Sequence, residues 1–111
     1  MIEFAVDTAS NGIGVVVPRG RLNMVSARRL REILSELVTQ GTTRIVVDMA
    51  ETTFLDSSGL GALIAGLKSA RQAGGDLRIA RPTESVRTVF QLTNLDKVLR
   101  ARETVEGAFD D

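Results

Sequence analysis

The chain of 111 residues contains no cysteine, no histidine, no tryptophan and no tyrosine. Each absence removes a class of chemistry. Without cysteine there is no disulfide framework, no thiolate nucleophile and no thiolate metal site. Without histidine there is no Ser-His-Asp or Cys-His pair and none of the usual imidazole ligands for zinc or iron. The four aromatic residues are all Phe, too few to form a stacking platform for bases. Fourteen basic and fourteen acidic residues cancel, and neither sign gathers into a long block, so no electrostatic footprint for nucleic acid or anionic lipid is expected. No apolar run approaches the roughly 18 residues that a membrane-spanning helix needs. The amino terminus, MIEFAVDTAS, lacks the basic and apolar regions of a secretory leader. A soluble, cytoplasmic protein is expected, with residues 1–111 forming a single domain whose core needs no staples.

The residues that are present organise around Phe54 to Gly61, FLDSSGLG. Before this octet, Arg44 to Met49 is short and β-branched, which predicts a buried strand, parallel to its neighbours. After it, Leu60, Leu63, Ile64, Leu67 and Ala70 recur at three and four residues, and Gly74-Gly75 supplies a helix stop. Asp56, Ser57 and Ser58 therefore fall at a helix N-terminus, where free backbone N–H groups and the helix dipole accommodate an anion. Asp and Ser are also the preferred capping residues, so the same letters describe an ordinary cap. The alternative is a phosphoacceptor serine, which would gain about −1.5 to −2 charges at pH 7.

Ile2 to Asp7 alternates with period two, Ile2, Phe4 and Val6 on one face, and Ser10-Asn11-Gly12 signals a turn into Ile13 to Pro18. This predicts a β-hairpin closed by Pro18 and Gly20. From Asn23 or Ser26 the spacing becomes helical through Ala27, Leu30, Ile33, Leu34, Leu37 and Val38 to Gly41, with Arg28 and Glu32 as a surface pair. Leu77 to Ala80 predicts a strand ended by Pro82. A third helix follows, capped by Glu84 or Ser85, with Val86, Val89, Phe90 and Leu92 or Thr93 inward until Asn94 interrupts it. The tail suggests a strand over Val98 to Glu103 and a short helix over Val105 to Phe109. The expected fold is an α/β domain with a mixed, mostly parallel sheet of four or five strands, an N-terminal β-hairpin and three to four flanking helices. Ligands of such sheets gather beyond the carboxyl ends of the strands, where DSSG falls.

Catalysis finds little support. Neither serine has the flanking glycines of G-x-S-x-G. Lys68 lies eleven residues beyond Ser57, roughly 16 Å along a helix axis, too far for proton transfer. Ile64 stands where the third glycine of a dinucleotide fingerprint would be, and no P-loop lysine follows a glycine run. Asp48 and Asp56 bracket the junction and could share a magnesium ion or could simply be solvated or capping. Gly59, Gly61, Ala62, Ala65 and Gly66 make the second helix unusually small-sided. Close packing within the domain and a flat docking patch both account for that.

The stretch Val46-Val47-Asp48 through Phe54-Leu55-Asp56-Ser57-Ser58-Gly59-Leu60-Gly61-Ala62-Leu63 resembles the signature of STAS domains, specifically of bacterial anti-sigma factor antagonists. Gly20-Arg21-Leu22-Asn23, Ala73-Gly74-Gly75 and Val86 to Leu99 extend the resemblance over nearly the whole chain. The resemblance implies a non-enzymatic protein without cofactor or metal. In its unphosphorylated form it would bind a GHKL-type serine kinase that is also an anti-sigma factor, freeing the sigma factor; phosphorylation would end the binding and a PP2C-type phosphatase would reset it. Carried over, Ser57 is the phosphoacceptor, and Asn23, Ser26, Asp56, Ser58, Gly59, Leu60 and Gly61 belong to the partner-binding face. Asn23 departs from the family's frequent Asp. A different expectation from the same resemblance is a structural adaptor on a transporter ATPase of the lipid-trafficking type.

Overall fold

A computed structural model describes residues 3–9, 11–99 and 101–109. Its strands are β1 (Glu3–Thr8), β2 (Gly14–Leu22), β3 (Arg44–Asp48), β4 (Thr52–Leu55), β5 (Asp76–Ala80) and β6 (Ala101–Arg102). The helices are α1 (Met24–Thr39), α2 (Ser57–Gln72) and α3 (Glu84–Leu92), with a 3-10 turn at Leu95–Lys97. The strands form one sheet in the order β1-β2-β3-β5-β6, and β4 pairs with β2. Among the described residues only the β1–β2 hairpin is antiparallel; the other pairings are parallel. The expected mixed, mostly parallel sheet is therefore present, with six strands among the described residues in place of four or five. Ile2 and Ser10, assigned above to the first strand and its turn, lie outside the described residues.

Pro18 and Gly20 do not close the hairpin. β2 runs through both to Leu22 and changes partner on the way: Gly14 to Val16 pair with β3, and Gly20 to Leu22 with β4. Gly20, at φ 123°, and a register shift between Gly20 and Arg21 bend the strand between its two partners. Proline is tolerated there because it lacks only a donor, and its carbonyl accepts a hydrogen bond from Thr52 Oγ1 at 3.0 Å.

Strand alternation sorts the core. Ile45, Val47, Leu77 and Ile79 face the main cluster with α1, α2 and α3. Val46 and Ala80 face the opposite side with Ile13 and Ala108, under Val105 and Phe109. That double burial is why β3 reads as a continuous apolar run. The small residues of α2 serve this packing. A Cβ on Gly66 would meet Leu34 Cδ1 at 2.5 Å, and one on Gly59 would meet Leu55 Cδ1 at 2.5 Å and the Leu22 carbonyl at 2.8 Å.

Several local expectations change. Glu32 pairs with Arg29 at 3.1 Å, not with Arg28. Thr83, not Glu84 or Ser85, caps α3 by accepting the Val86 N–H. Leu92 is 80% exposed, because Asn94 in the left-handed region ends the helix just after Phe90 has reached the core. Residues 105–109 form turns instead of a helix, with the Phe109 ring 4.4 Å from the Arg78 guanidinium. The strand expected over Val98 to Glu103 is confined to β6.

Candidate functional site

The register of β2 and β4 builds the site. Leu22 and Leu55 are paired in parallel, so the next residue in each chain segment, Asn23 and Asp56, arrives at the same edge of the sheet. Each caps a helix. Asn23 Oδ1 accepts the Val25 and Ser26 N–H groups at 3.2 and 3.3 Å. Ser26 Oγ returns the favour as acceptor of the Asn23 N–H at 2.9 Å and donates to the Arg21 carbonyl at 2.7 Å. This is a capping box with serine in the third position. Asp56 Oδ1 accepts the Gly59 N–H at 3.0 Å. Two helix N-termini with their positive partial charges thus open side by side. Neither has an acidic residue in its first turn.

Ser57, the first residue of α2, is exposed, and no protein hydrogen bond to its hydroxyl is found among the described residues. Ser58 is half-buried and turns toward α1, where it lines a pocket of about 250 Å³ with Met24, Ala27, Arg28 and Arg31. Gly61 lies one turn further along, with Arg31 Nη2 only 3.2 Å from where its Cβ would be. The remaining residues assigned to the partner-binding face point inward. Ser26, Gly59 and Leu60 are buried. They hold the junction in shape, because any side chain at position 59 would collide with the ends of β2 and β4.

Sequence reasoning overlooked two exposed apolar residues at the start of α1, of which Met24 shares the pocket with Ser58. Met24 is 71% and Val25 81% exposed, although they open a helix that buries its other apolar side chains, Val38 in part. For Val25 the signal was available, since it lies outside the three-four spacing of Ala27, Leu30, Ile33 and Leu34; Met24 continues that spacing and is exposed as the first residue of the helix. Arg21 stacks on Phe54 with 4.2 Å between guanidinium carbon and ring centroid, which rigidifies the rim.

Asp48 and Asp56 are not arranged to share a cation. Asp48 is buried and hydrogen-bonded to the Arg81 guanidinium through both oxygens, while Asp56 is engaged as a cap. That hydrogen bond, more than the accompanying charge attraction, raises the Arg81 pKa above its ordinary value. No cluster of three or more acidic metal-ligating residues occurs among the described residues, and none of the described helices is long and apolar enough to cross a membrane.

A family model described as the STAS domain matches residues 5–108. The anti-sigma-B factor antagonist of Staphylococcus epidermidis is 29% identical over 87 residues, covering 78% of this chain and 81% of that protein. An anti-sigma factor antagonist from Mycobacterium paratuberculosis has a solved structure with a TM-score of 0.87 and 26% identity, covering 99% of this chain and 92% of that one. The anti-sigma factor antagonist SpoIIAA in its unphosphorylated form gives a TM-score of 0.84 at 25% identity, over 97% of this chain and 94% of that one. The phosphorylated form of Bacillus SpoIIAA gives 0.76 at 25% identity over 97% of each.

Proposed function

The chain belongs to the STAS domain family, and from that membership we propose that it is an anti-sigma factor antagonist switched by phosphorylation of Ser57. Unphosphorylated, it binds a GHKL-type serine kinase that doubles as the anti-sigma factor, and so frees the sigma factor. A phosphate on Ser57 ends the binding, and a PP2C-type phosphatase restores it.

The observation that carries this is the position of Ser57: exposed, its hydroxyl free of protein hydrogen bonds among the described residues, and first in a helix whose cap is already held by Asp56. A kinase can reach this hydroxyl without unfolding anything, and a phosphate there is compatible with the helix N-terminus. At the adjoining start of α1, Met24 and Val25 supply apolar contact area and Asn23 and Ser58 supply polar rim, with Ser26, Asp56, Gly59, Leu60 and Gly61 fixing the surface beneath. Burying an unmatched phosphate in a closed interface costs about 3–4 kcal/mol, a few hundredfold in affinity. That suffices for a switch with no change of fold.

The test is to incubate the protein with ATP and its genetically neighbouring kinase, locate the added phosphate by mass spectrometry, and titrate the kinase against wild type and Ser57→Asp. Phosphate on Ser57 with binding lost in Ser57→Asp is the expected result. Equal affinity for both forms overturns the proposal, and an ATPase of a transporter captured equally by both would replace it with the adaptor role.

A further inference from the structure

The two adjacent serines differ in exposure, and Ser58 lines a cationic pocket. Arg28 and Arg31 stand three residues apart on α1 and share that pocket of about 250 Å³ with the Ser58 side chain. Arg29, between them, is engaged by Glu32. Arg28 and Arg31 have no ion pair or hydrogen bond among the described residues, and neither helix contributes an acid from its first turn to neutralise them. Gly61 is what admits Arg31: its missing side chain leaves the space in which the guanidinium lies against α2, 3.2 Å from the would-be Cβ. Two like charges held beside a hydroxyl on one wall of a pocket are an arrangement that an anion relieves.

We propose that Ser58 is a second modification site and that Arg28 and Arg31 hold its phosphate within the molecule. The proposal rests on a protein kinase engaging this junction. Transfer from a nucleoside triphosphate forms the bond from Ser58 Oγ to the γ-phosphorus as the bridge to the β-phosphate breaks. The hydroxyl proton passes to a base of the kinase and the nucleoside diphosphate leaves. Guanidinium groups meet phosphate oxygens with paired, charge-assisted hydrogen bonds, and it is Ser58 that shares a pocket with two of them. A phosphate on Ser58 therefore ties α1 to α2 and withdraws two cations from the docking face, whereas a phosphate on Ser57 projects toward the partner. Asp56, two residues before Ser58, is held by its capping bond to Gly59.

The experiment places phosphoserine genetically at position 58 or 57 of the full chain, in wild-type and Arg28→Gln/Arg31→Gln backgrounds, and follows each phosphate by phosphorus NMR titration and each protein by thermal unfolding. The second phosphate pKa, ordinarily near 6, is expected to lie roughly half a unit lower at position 58 than at 57, because cations favour the dianion. Both that difference and a raised melting temperature at 58 should vanish in the arginine double variant. Equal pKa values at the two positions, or a difference that survives the arginine substitutions, overturns the proposal. Neither readout involves the kinase complex, so a failed Ser57 switch, seen as unchanged affinity, is distinguishable from a failed pocket.

Discussion

Leu22 and Leu55 lie side by side in parallel register, and Gly59 packs against both, its would-be Cβ 2.5 Å from Leu55 Cδ1 and 2.8 Å from the Leu22 carbonyl. The end of the sheet and the start of α2 are therefore one rigid joint. Gly59→Ala gains helix propensity but forces that joint apart, and the carbonyl cannot yield as a side chain would. Overpacking of this kind costs about 1–3 kcal/mol, against at most about 1 kcal/mol regained from propensity. Urea unfolding should show a lower midpoint at an unchanged slope. A midpoint at or above wild type would mean that the joint has slack.

The two caps differ in what they tolerate. Asp56→Ala removes the acceptor of the Gly59 N–H and should cost about 1 kcal/mol. Asn23→Asp should cost under about 0.5 kcal/mol, since Asn23 Oδ1 acts in the box only as an acceptor, toward the Val25 and Ser26 N–H groups. Asp at position 23 should therefore be close to neutral for folding, and its effect should fall on the charge presented at this edge. Equilibrium denaturation of both variants checks this; a large loss in Asn23→Asp would show that the amide NH₂ is needed.

How much of this was legible in the sequence depends on how local the determinants are. The close of α2 was legible because it is made within six residues: Gly74, at φ 89°, donates to the Arg71 carbonyl and Gly75 to the Ala70 carbonyl at 2.8 Å. The capping role of Asp56 was legible for the same reason. β4 was not, because Thr52-Thr53-Phe54-Leu55 has no period of its own and becomes a strand only by pairing with Gly20 to Leu22, about thirty residues away. The same pairing depends on β2 continuing past Pro18 and Gly20, which locally read as stops. So the exposure of Ser57 followed from nearby residues, while the adjacency of Asn23 and Asp56, and with it the pocket of Arg28 and Arg31, required a contact that no local pattern announces.

Gly66 and Gly75 test whether a close approach is absolute. A Cβ at Gly66 meets the ends of the Leu34 and Leu77 side chains at 2.5 and 3.1 Å, which can rotate. One at Gly75 meets the Thr43 carbonyl oxygen at 1.9 Å, which cannot move without breaking the approach to β5. Gly66→Ala should change stability by no more than about 2 kcal/mol, propensity offsetting part of the overpacking. Gly75→Ala should exceed that or fail to fold. Thermal unfolding of the two ranks them, and the reverse order would contradict the geometry.

Asp48 is buried, whereas the Arg81 side chain that binds it remains 52% exposed. Removing the surface partner should therefore harm folding more than altering the buried one. Arg81→Met strands a carboxylate in the interior, while Asp48→Asn keeps an acceptor for the Ala50 N–H, at 3.2 Å from Asp48 Oδ1, and leaves a guanidinium that water can reach. Urea midpoints at pH 7 should fall further for Arg81→Met. The opposite ranking would mean that Arg81, at φ 51°, acts through its backbone and not its charge.

Met24 and Val25 separate docking from folding. Both are largely exposed at 71% and 81%, and each makes its neighbours' hydrogen bonds with backbone atoms alone. Val25→Ser and Met24→Ser should therefore leave the unfolding midpoint within the ordinary surface range of about 0.5 kcal/mol. If the two side chains are apolar anchors of the kinase interface, each substitution should weaken that complex by more than about 1 kcal/mol, five- to tenfold in Kd. The loss should appear mainly as faster dissociation, since short-range apolar contacts act after encounter and leave steering untouched. Calorimetry and surface binding kinetics on the unphosphorylated protein measure both quantities. Unchanged affinity in both variants would move the docking face off α1 altogether and onto the far side of α2.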